Sequence, residues 1–374
     1  MRKSTLWWQT AGLVVMGLLF FVSLELMEHS FAFMGRGVAE ALLQTTSNPF
    51  VGLFVGILAT TLVQSSSVVT AMTVGIVAGG GVGVAEAIPI IMGANVETSV
   101  TNTIVSLGHI TRTEEFRGAV AAATVHDFFN LIAVAVFFPL ELTTQFLSRA
   151  ASALASGLTG VGGVEWLSPV NVVVEPVAEV LITLAQANGV VVLLMGACLL
   201  FVALHYLVLL LKKLVLGRSE RLIHRYIFGT PALSLLAGIL ITVMVQSSSI
   251  TTSITVPLAA AGIVTVTQIF PFVMGANVGT TITALLAALV LASGGGADGV
   301  EALEVAFAHL CFNVFGVLLL LPSQRIRRVP VRLAERLGTL AVKNRMYAIA
   351  YIALVFFIIP FLVILATRHL DLSF

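Results

Sequence analysis

The chain has 374 residues, 58% hydrophobic and 10% charged, with a formal net charge of +1 and a mean hydropathy of +1.07. Many apolar runs as long as a bilayer core exclude a soluble fold, and the near-neutral charge points to no nucleic-acid partner. Cys198 and Cys311 lie in apolar runs without neighbouring Cys or His, so neither a disulfide framework nor a zinc site is expected.

In chain order, residues 1–35 read as an N-terminal transmembrane helix. Its apolar core is long for a signal peptide and no small-residue cleavage site comes after it, so it is expected to be retained. Residues 36–141 form a first unit. Within it, Val51 to Val63 and Val68 to Gly79 cover only about 20 Å each at 1.5 Å per residue, against a hydrocarbon core of about 30 Å. Neither crosses alone, which predicts a re-entrant hairpin with "QSSS", Gln64 to Ser67, at its tip. The segment Val84 to Leu107 is long enough to cross and is interrupted by Gly93 and Asn95. A closing helix with "HDFFN" comes next. Residues 142–188 form a long segment with Arg149 as its one base, read as an extracytoplasmic loop. A helix over 189–216 enters a second unit, 217–322. A basic cytoplasmic segment, 323–345, and a C-terminal transmembrane helix, 346–374, complete the chain.

The two units are copies. Sliding the chain by 182 positions lays Pro49 to Thr101 over Pro231 to Thr283 without a gap, and about half the positions are identical. Gln64 falls on Gln246, Pro89 on Pro271 and Asn95 on Asn277. One inserted residue later, His126 and Asn130 fall on His309 and Asn313. Such internal repetition marks a transporter architecture, and by register the second unit should carry its own hairpin and broken crossing helix.

Charge sets the orientation. Lys212, Lys213, Arg218, Arg221 and Arg225 precede the second copy and the run Arg325 to Arg345 succeeds it, so both flanks should be cytoplasmic, with the N-terminus on that side of a cell membrane. The connector "GHITRTEEFRG" holds Arg112 and Arg117, whereas its counterpart "LASGGGADGVEALE" has three acids and no base. Equivalent connectors on opposite sides make an inverted repeat. The expected fold is therefore an all-α polytopic membrane protein of two inverted repeats, each with a re-entrant QSSS hairpin and a broken transmembrane helix.

Backbone that leaves helical bonding at membrane depth must be covered by protein or line a cavity. A half-helix N-terminus with serine hydroxyls suits an anion, while Gln and Ser oxygens and unwound carbonyls suit a small cation. One "SSS" would read as helix glue; two at one offset read as a shared binding site. The apolar spans hold no Lys or Arg, so a bound anion needs a co-bound cation, which fits obligatory coupling. Glu97 stands opposite Gly279. An ionisable group at that depth costs roughly 3 kcal/mol unless paired or wet, so Glu97 either binds a cation or proton or sits in a wet connector. His126 and His309 either pack onto neighbouring helices or shape the site. Asp127, without a repeat partner, should pair with His126 or an adjacent hydroxyl.

The stretches "LVQSSS", "AIPIIMGANVETSVTNTIVSL", "FRGAVAAATVHDFFN", "VQSSSITTSITVPL" and "PFVMGANVGTTITALLAAL" resemble the type II sodium/phosphate cotransporters, from about Asn48 to Phe361. The resemblance implies secondary-active uptake of inorganic phosphate driven by sodium, through an elevator-like or rocking cycle. It implies phosphate binding at Gln64, Ser65, Ser66, Ser67, Gln246, Ser247, Ser248 and Ser249. Sodium ligands are expected at Asn95, Thr98, Ser99, Asn277, Thr280, Thr281 and Thr283, with sodium as coupling ion and no other cofactor. Membrane lipids are further partners, and a homodimer is left open. The chain departs from the family at Glu97, and it has only Glu40 near the place of an aspartate found in electrogenic members. Its outer segment lacks Cys and Asn-X-Ser/Thr, as in a prokaryotic-type protein.

Two alternatives keep this architecture: another oxyanion such as arsenate, sulfate or a dicarboxylate, or proton coupling through Glu97. A membrane enzyme would need a nucleophile with its base, or metal carboxylates, near the site, and no such pair recurs. A passive channel would need an open pore, against which hairpin tips meeting midway argue.

Overall fold

The computed structural model describes residues 3–44, 48–97, 100–157, 171–214, 226–292 and 297–369, and their regular structure is helical throughout. Helix α1 (Lys3–Gln44) runs past the boundary at 35 drawn from the sequence. It continues because Ala39 and Leu43 join the core around the first hairpin. Gly35 permits the crossing: a Cβ there would lie 2.5 Å from the Leu62 carbonyl oxygen.

Helix α2 (Pro49–Val63) begins with a proline at a position whose N–H would be unpaired anyway, and the Asn48 side chain accepts from Phe50 N–H. It ends at Gln64, and α3 (Ser66–Ala78) starts with Ser65 as its cap. Helices α4 (Val84–Val96) and α5 (Val100–Leu107) form the crossing segment, and α6 (Thr113–Thr144) is the closing helix. The segment 142–188 carries two helices that composition did not reveal, α7 (Phe146–Ser156) and α8 (Asn171–Leu184). Glu141 turns the chain into α7 by accepting from Leu147 N–H at 2.6 Å.

After α9 (Gly189–Leu214), which packs on α1, the second copy repeats the first. Helix α10 (Pro231–Val245) is again proline-led and capped by Thr230, and it again ends at a glutamine, Gln246. The second arm differs. It is split into α11 (Ser248–Ser253) and α12 (Thr255–Ala260), because Pro257 has no N–H for the Ser253 carbonyl and its ring crowds that turn. The first copy has Gly75 at this place and an unbroken arm.

Helix α13 (Val266–Ala292) corrects the expected second broken helix: it runs through Gly275 and Asn277 without interruption. In the first copy the interruption lies not at Gly93 or Asn95, both helical, but at Glu97, whose backbone is extended (φ −101°, ψ 100°). The cause is the residue that differs. Gly279 of α13 lies so close to α10 that a Cβ would meet Thr242 Cβ at 2.7 Å and the Ile239 carbonyl oxygen at 2.9 Å. Glutamate at the equivalent place cannot enter that contact, so the helix opens and the carboxylate caps α5 by accepting from Val100 N–H at 3.2 Å.

Closing helix α14 (Ala297–Leu320) leads to α15 (Gln324–Lys343), then to α16 (Met346–Ile352), a π turn (Ala353–Ile358) and α17 (Ile359–His369). The π turn meets the first hairpin, where Thr61 Oγ1 lies 3.3 Å from the Phe356 carbonyl oxygen. Among the described residues, four stretches are long and apolar enough to cross a membrane: Thr113–Thr144, Gly189–Leu207, Val300–Leu320 and Met346–Thr367. The hairpin helices are shorter than that.

The copies interlock. The core around α2, α3 and α4 is completed by Ala302 to Phe312 of α14, the other copy's closing helix. The core around α12 and α13 is completed by Ala121 to Phe129 of α6. Inside each copy, a glycine pair brings two helices into backbone contact. A Cβ on Gly56 would lie 2.0 Å from the Ile90 carbonyl oxygen and one on Gly93 2.0 Å from that of Leu53; Gly238 and Gly275 repeat both distances against Phe272 and Leu235.

Candidate binding site

Both tips have the same backbone. Gln64 (φ 60°, ψ 22°) and Gln246 (φ 61°, ψ 14°) adopt the left-handed conformation that glycine would take at least cost. Gln145, Gln186 and Ala187 share this conformation elsewhere, so the turn alone marks no site; what sets Gln64 and Gln246 apart is that they recur at equivalent positions of the two copies. The Gln64 amide donates to the Thr61 carbonyl at 2.6 Å, and its Oε1 accepts from Thr101 Oγ1 at 3.0 Å.

The first serine of each tip is spent on capping: Ser65 Oγ accepts from Val68 N–H and Ser247 Oγ from Ile250 N–H. The next two in each copy, Ser66 and Ser67, Ser248 and Ser249, make no side-chain hydrogen bond among the described residues, although Ser66, Ser248 and Ser249 are buried. Those four hydroxyls are available to a ligand. One turn before each tip stands a further pair that the sequence pattern did not single out. Thr60 and Thr242 occupy equivalent positions, are fully buried, and leave their hydroxyls without a hydrogen-bond partner among the described residues. The signal was present, since threonine recurs at the 182 offset.

Helix α5, whose Thr101 and Asn102 were not singled out, joins the tips. Thr101 reaches Gln64 of the first, and the adjacent Asn102 donates to Thr252 Oγ1 at 2.9 Å and accepts from Ser253 Oγ at 2.6 Å, one turn into the second. Thr252 in turn donates to the Ser248 carbonyl at 2.8 Å. Both QSSS turns are thereby tied to two consecutive residues.

Beside the tips, the copies exchange their asparagine and histidine partners. Asn95 Oδ1 of the first copy lies 3.0 Å from His309 Nε2 and accepts from Asn313 Nδ2 at 3.0 Å. Asn277 of the second copy returns the arrangement, with Oδ1 2.5 Å from His126 Nε2 and Nδ2 donating to Asn130 Oδ1 at 3.0 Å. An amide oxygen only accepts, so each Nε2 is the donor in its pair. Asn130 also donates to the Asn95 carbonyl at 2.7 Å, joining the two exchanges. His126 and His309 thus hold one copy against the other. Asp127 has the two neighbours expected of it: Tyr351 donates to its Oδ2 at 3.1 Å, and Oδ1 lies 3.8 Å from His126 Nδ1.

Of the expected sodium ligands, Asn95 and Asn277 are engaged in this exchange. Thr280 and Thr281 are buried and donate to the Ala276 and Val278 carbonyls, which leaves the Thr281 oxygen lone pairs for a cation. Thr98, Ser99 and the Thr283 side chain lie outside the described residues. Glu97 is 1% exposed. Its cap to Val100 predicts that Glu97→Gln, which keeps the acceptor oxygen, stays within about threefold of wild-type uptake. Glu97→Ala should fall by about tenfold, since a lost cap costs typically ~1 kcal/mol and bares buried N–H groups. Initial uptake rates into proteoliposomes check both.

The chain has clear relatives among known proteins. The profile of the Na+/Pi-cotransporter family matches residues 19–165 and 199–362. Sodium-dependent phosphate transport protein 2A of Ovis aries is 32% identical across 92% of this chain and 65% of its own length. Sodium-dependent phosphate transport protein 2B of Homo sapiens is 30% identical across 93% and 64%. The chain therefore spans a little under two thirds of these relatives. No solved structure matches it. With the family profile covering both copies, QSSS turns included, the chain belongs to the Na+/Pi-cotransporter family.

Proposed function

We propose that the protein imports inorganic phosphate together with sodium by alternating access, using one site built from both QSSS tips. The observation that carries this is the set of unspent hydroxyls of Ser66, Ser67, Ser248 and Ser249 beside two strained glutamine turns that α5 ties together. Neutral hydroxyls and N–H groups suit an oxyanion whose charge a co-bound cation offsets, and the buried oxygens of Thr60, Thr242, Thr280 and Thr281 suit sodium. The names of the relatives supply the same pair of solutes. The relatives are named as sodium-dependent phosphate transport proteins, and this chain spans a little under two thirds of their length.

We further infer opposite orientations for the two copies, with hairpins entering from opposite sides and the N-terminus, α15 and the Arg112 connector in the cytoplasm. Three contacts support this. The Arg345 guanidinium donates to the Ile110 carbonyl at 3.3 Å, and a Gly338 Cβ would lie 2.6 Å from the Arg117 carbonyl oxygen, so the basic segments share one end. At the other end Ser152 of α7 donates to Glu304 of α14 at 2.8 Å. The equivalent helices α6 and α14 then run in opposite directions. The segment boundaries at 141, 188, 216, 322 and 345 remain the proposed divisions.

The test is radiolabelled phosphate uptake into proteoliposomes under sodium, choline and proton gradients, for wild type and Ser248→Ala. Uptake should require sodium, and the variant should lose about tenfold or more, the loss expected for one hydrogen bond to a charged ligand. Uptake driven by protons alone would move coupling to Glu97. No phosphate flux under any gradient, with flux of another oxyanion, would overturn the substrate.

A further inference from the structure

Helix α15 is set against the bundle by a narrow buried face, Val331, Ala334, Gly338 and Ala341. Its other surfaces divide by helical angle. Arg325, Arg332, Arg336 and Lys343 are exposed and fall within about 20° of one line at 100° per residue, opposite the buried face. Beside that ridge lies an apolar flank, where Ile326, Val329 and Leu340 are 43%, 45% and 43% exposed. Glu335, the one acid between residues 321 and 345 against seven bases, lies on the other flank. There it lines a 450 Å³ cleft with Arg117 and Thr339, and it also borders a shallower groove with Arg332, Arg336 and Leu340.

The ends of the helix fix its height. Three residues separate α15 from the spanning stretch Val300–Leu320, and two separate it from the spanning stretch Met346–Thr367. A helix about 30 Å long, with both ends tied to stretches able to cross and Gly338 packed on α6 between Arg117 and Ala121, is held at that end of the bundle, at the membrane face. An exposed apolar flank next to a basic ridge then has one complementary surface at that height, acyl chains below and anionic headgroups beside.

We propose that α15 is an interfacial helix that binds anionic glycerophospholipid, with Ile326, Val329 and Leu340 at the acyl boundary and Arg325, Arg332, Arg336 and Lys343 on the headgroup phosphates. This surface is separate from the transport site and does not depend on which solute is carried.

The full chain, purified in detergent, is incubated with equal amounts of phosphatidylglycerol and phosphatidylcholine, and the co-purifying lipid is quantified. Wild type should enrich phosphatidylglycerol by about tenfold or more, and high salt should reduce the enrichment. The quadruple Arg325→Gln, Arg332→Gln, Arg336→Gln, Lys343→Gln variant should lose it, while the corresponding Arg→Lys triple, which keeps every charge, should retain it. Millimolar inorganic phosphate should not displace the lipid. Equal retention of both lipids by wild type, or enrichment unchanged by salt, overturns the proposal even if the glutamine variant fails to fold. Displacement by free phosphate also overturns it.

Discussion

Gly275→Ala is expected to leave little folded protein, although it adds one methyl group. The methyl would sit 2.0 Å from the Leu235 carbonyl oxygen and 3.0 Å from the Ile239 backbone nitrogen, both main-chain atoms that no rotamer change can move. Helix α10 would have to retreat by more than an ångström, and it cannot do so alone, because Gly238 makes the reciprocal contact with Phe272. Overpacking a tight core costs typically 1–3 kcal/mol and occasionally more; a clash against main chain places this substitution near about 4 kcal/mol, a large part of a total stability of 5–15 kcal/mol. Small residues at such crossings let membrane helices touch backbone to backbone. Gly93→Ala should be as damaging, since the first copy builds the same 2.0 Å contact. Gly75→Ala, where a Cβ meets nothing within 4 Å on an exposed helix face, should be neutral or stabilising by up to about 1 kcal/mol. Monodisperse yield and thermal unfolding in detergent check all three. A well-folded Gly275→Ala protein would contradict the close helix contact.

How much of the fold is legible in the sequence depends on the range of the interaction. Local pairs were legible: the proline that opens each hairpin helix, the glutamine that ends it, and the serine that caps the next arm each act on backbone a few residues away. The repeat was legible because it needs only self-comparison. Which copy's closing helix completes which core was not, because periodicity says that a face is apolar and not what covers it. The exchange of Asn95 with His309 and of Asn277 with His126 belongs to this class. The second crossing helix failed for a related reason. The break was assigned to Gly93 and Asn95, which both copies share, whereas it depends on Glu97, which they do not. Glycine there marks a close helix approach, and the glutamate records its absence. Thr101 and Asn102 were passed over because their partners, Gln64 and Thr252, lie on segments that only the folded chain brings to them.

Asn277→Leu should cost about 2–5 kcal/mol of stability and remove most uptake. Leucine fills the volume but strips the acceptor from His126 Nε2–H and the donor from Asn130 Oδ1, two buried groups at about 1–3 kcal/mol each. No water-filled surface is near enough to take them over, since His126 and Asn130 are 1% and 0% exposed. Asn277→Asp should be milder on the histidine side, where a carboxylate oxygen still accepts, and should fail on the Asn130 side, where no donor remains. The damage will not stay local. Asn130 also holds the Asn95 carbonyl at 2.7 Å, and Asn95 receives both donors of the other exchange, so the two halves share a residue. The double variant Asn95→Leu, Asn277→Leu should therefore lose less than the sum of the single losses, by roughly 0.5–3 kcal/mol of coupling. Thermal unfolding of the three variants measures that cycle, and full additivity would mean two independent contacts. In the transport cycle proposed above, coupling has a mechanical consequence. A network that joins each copy to the other's closing helix resists sliding of one copy over the other. Motion of the two tips and their shared core as one body is then cheaper than motion of the copies against each other.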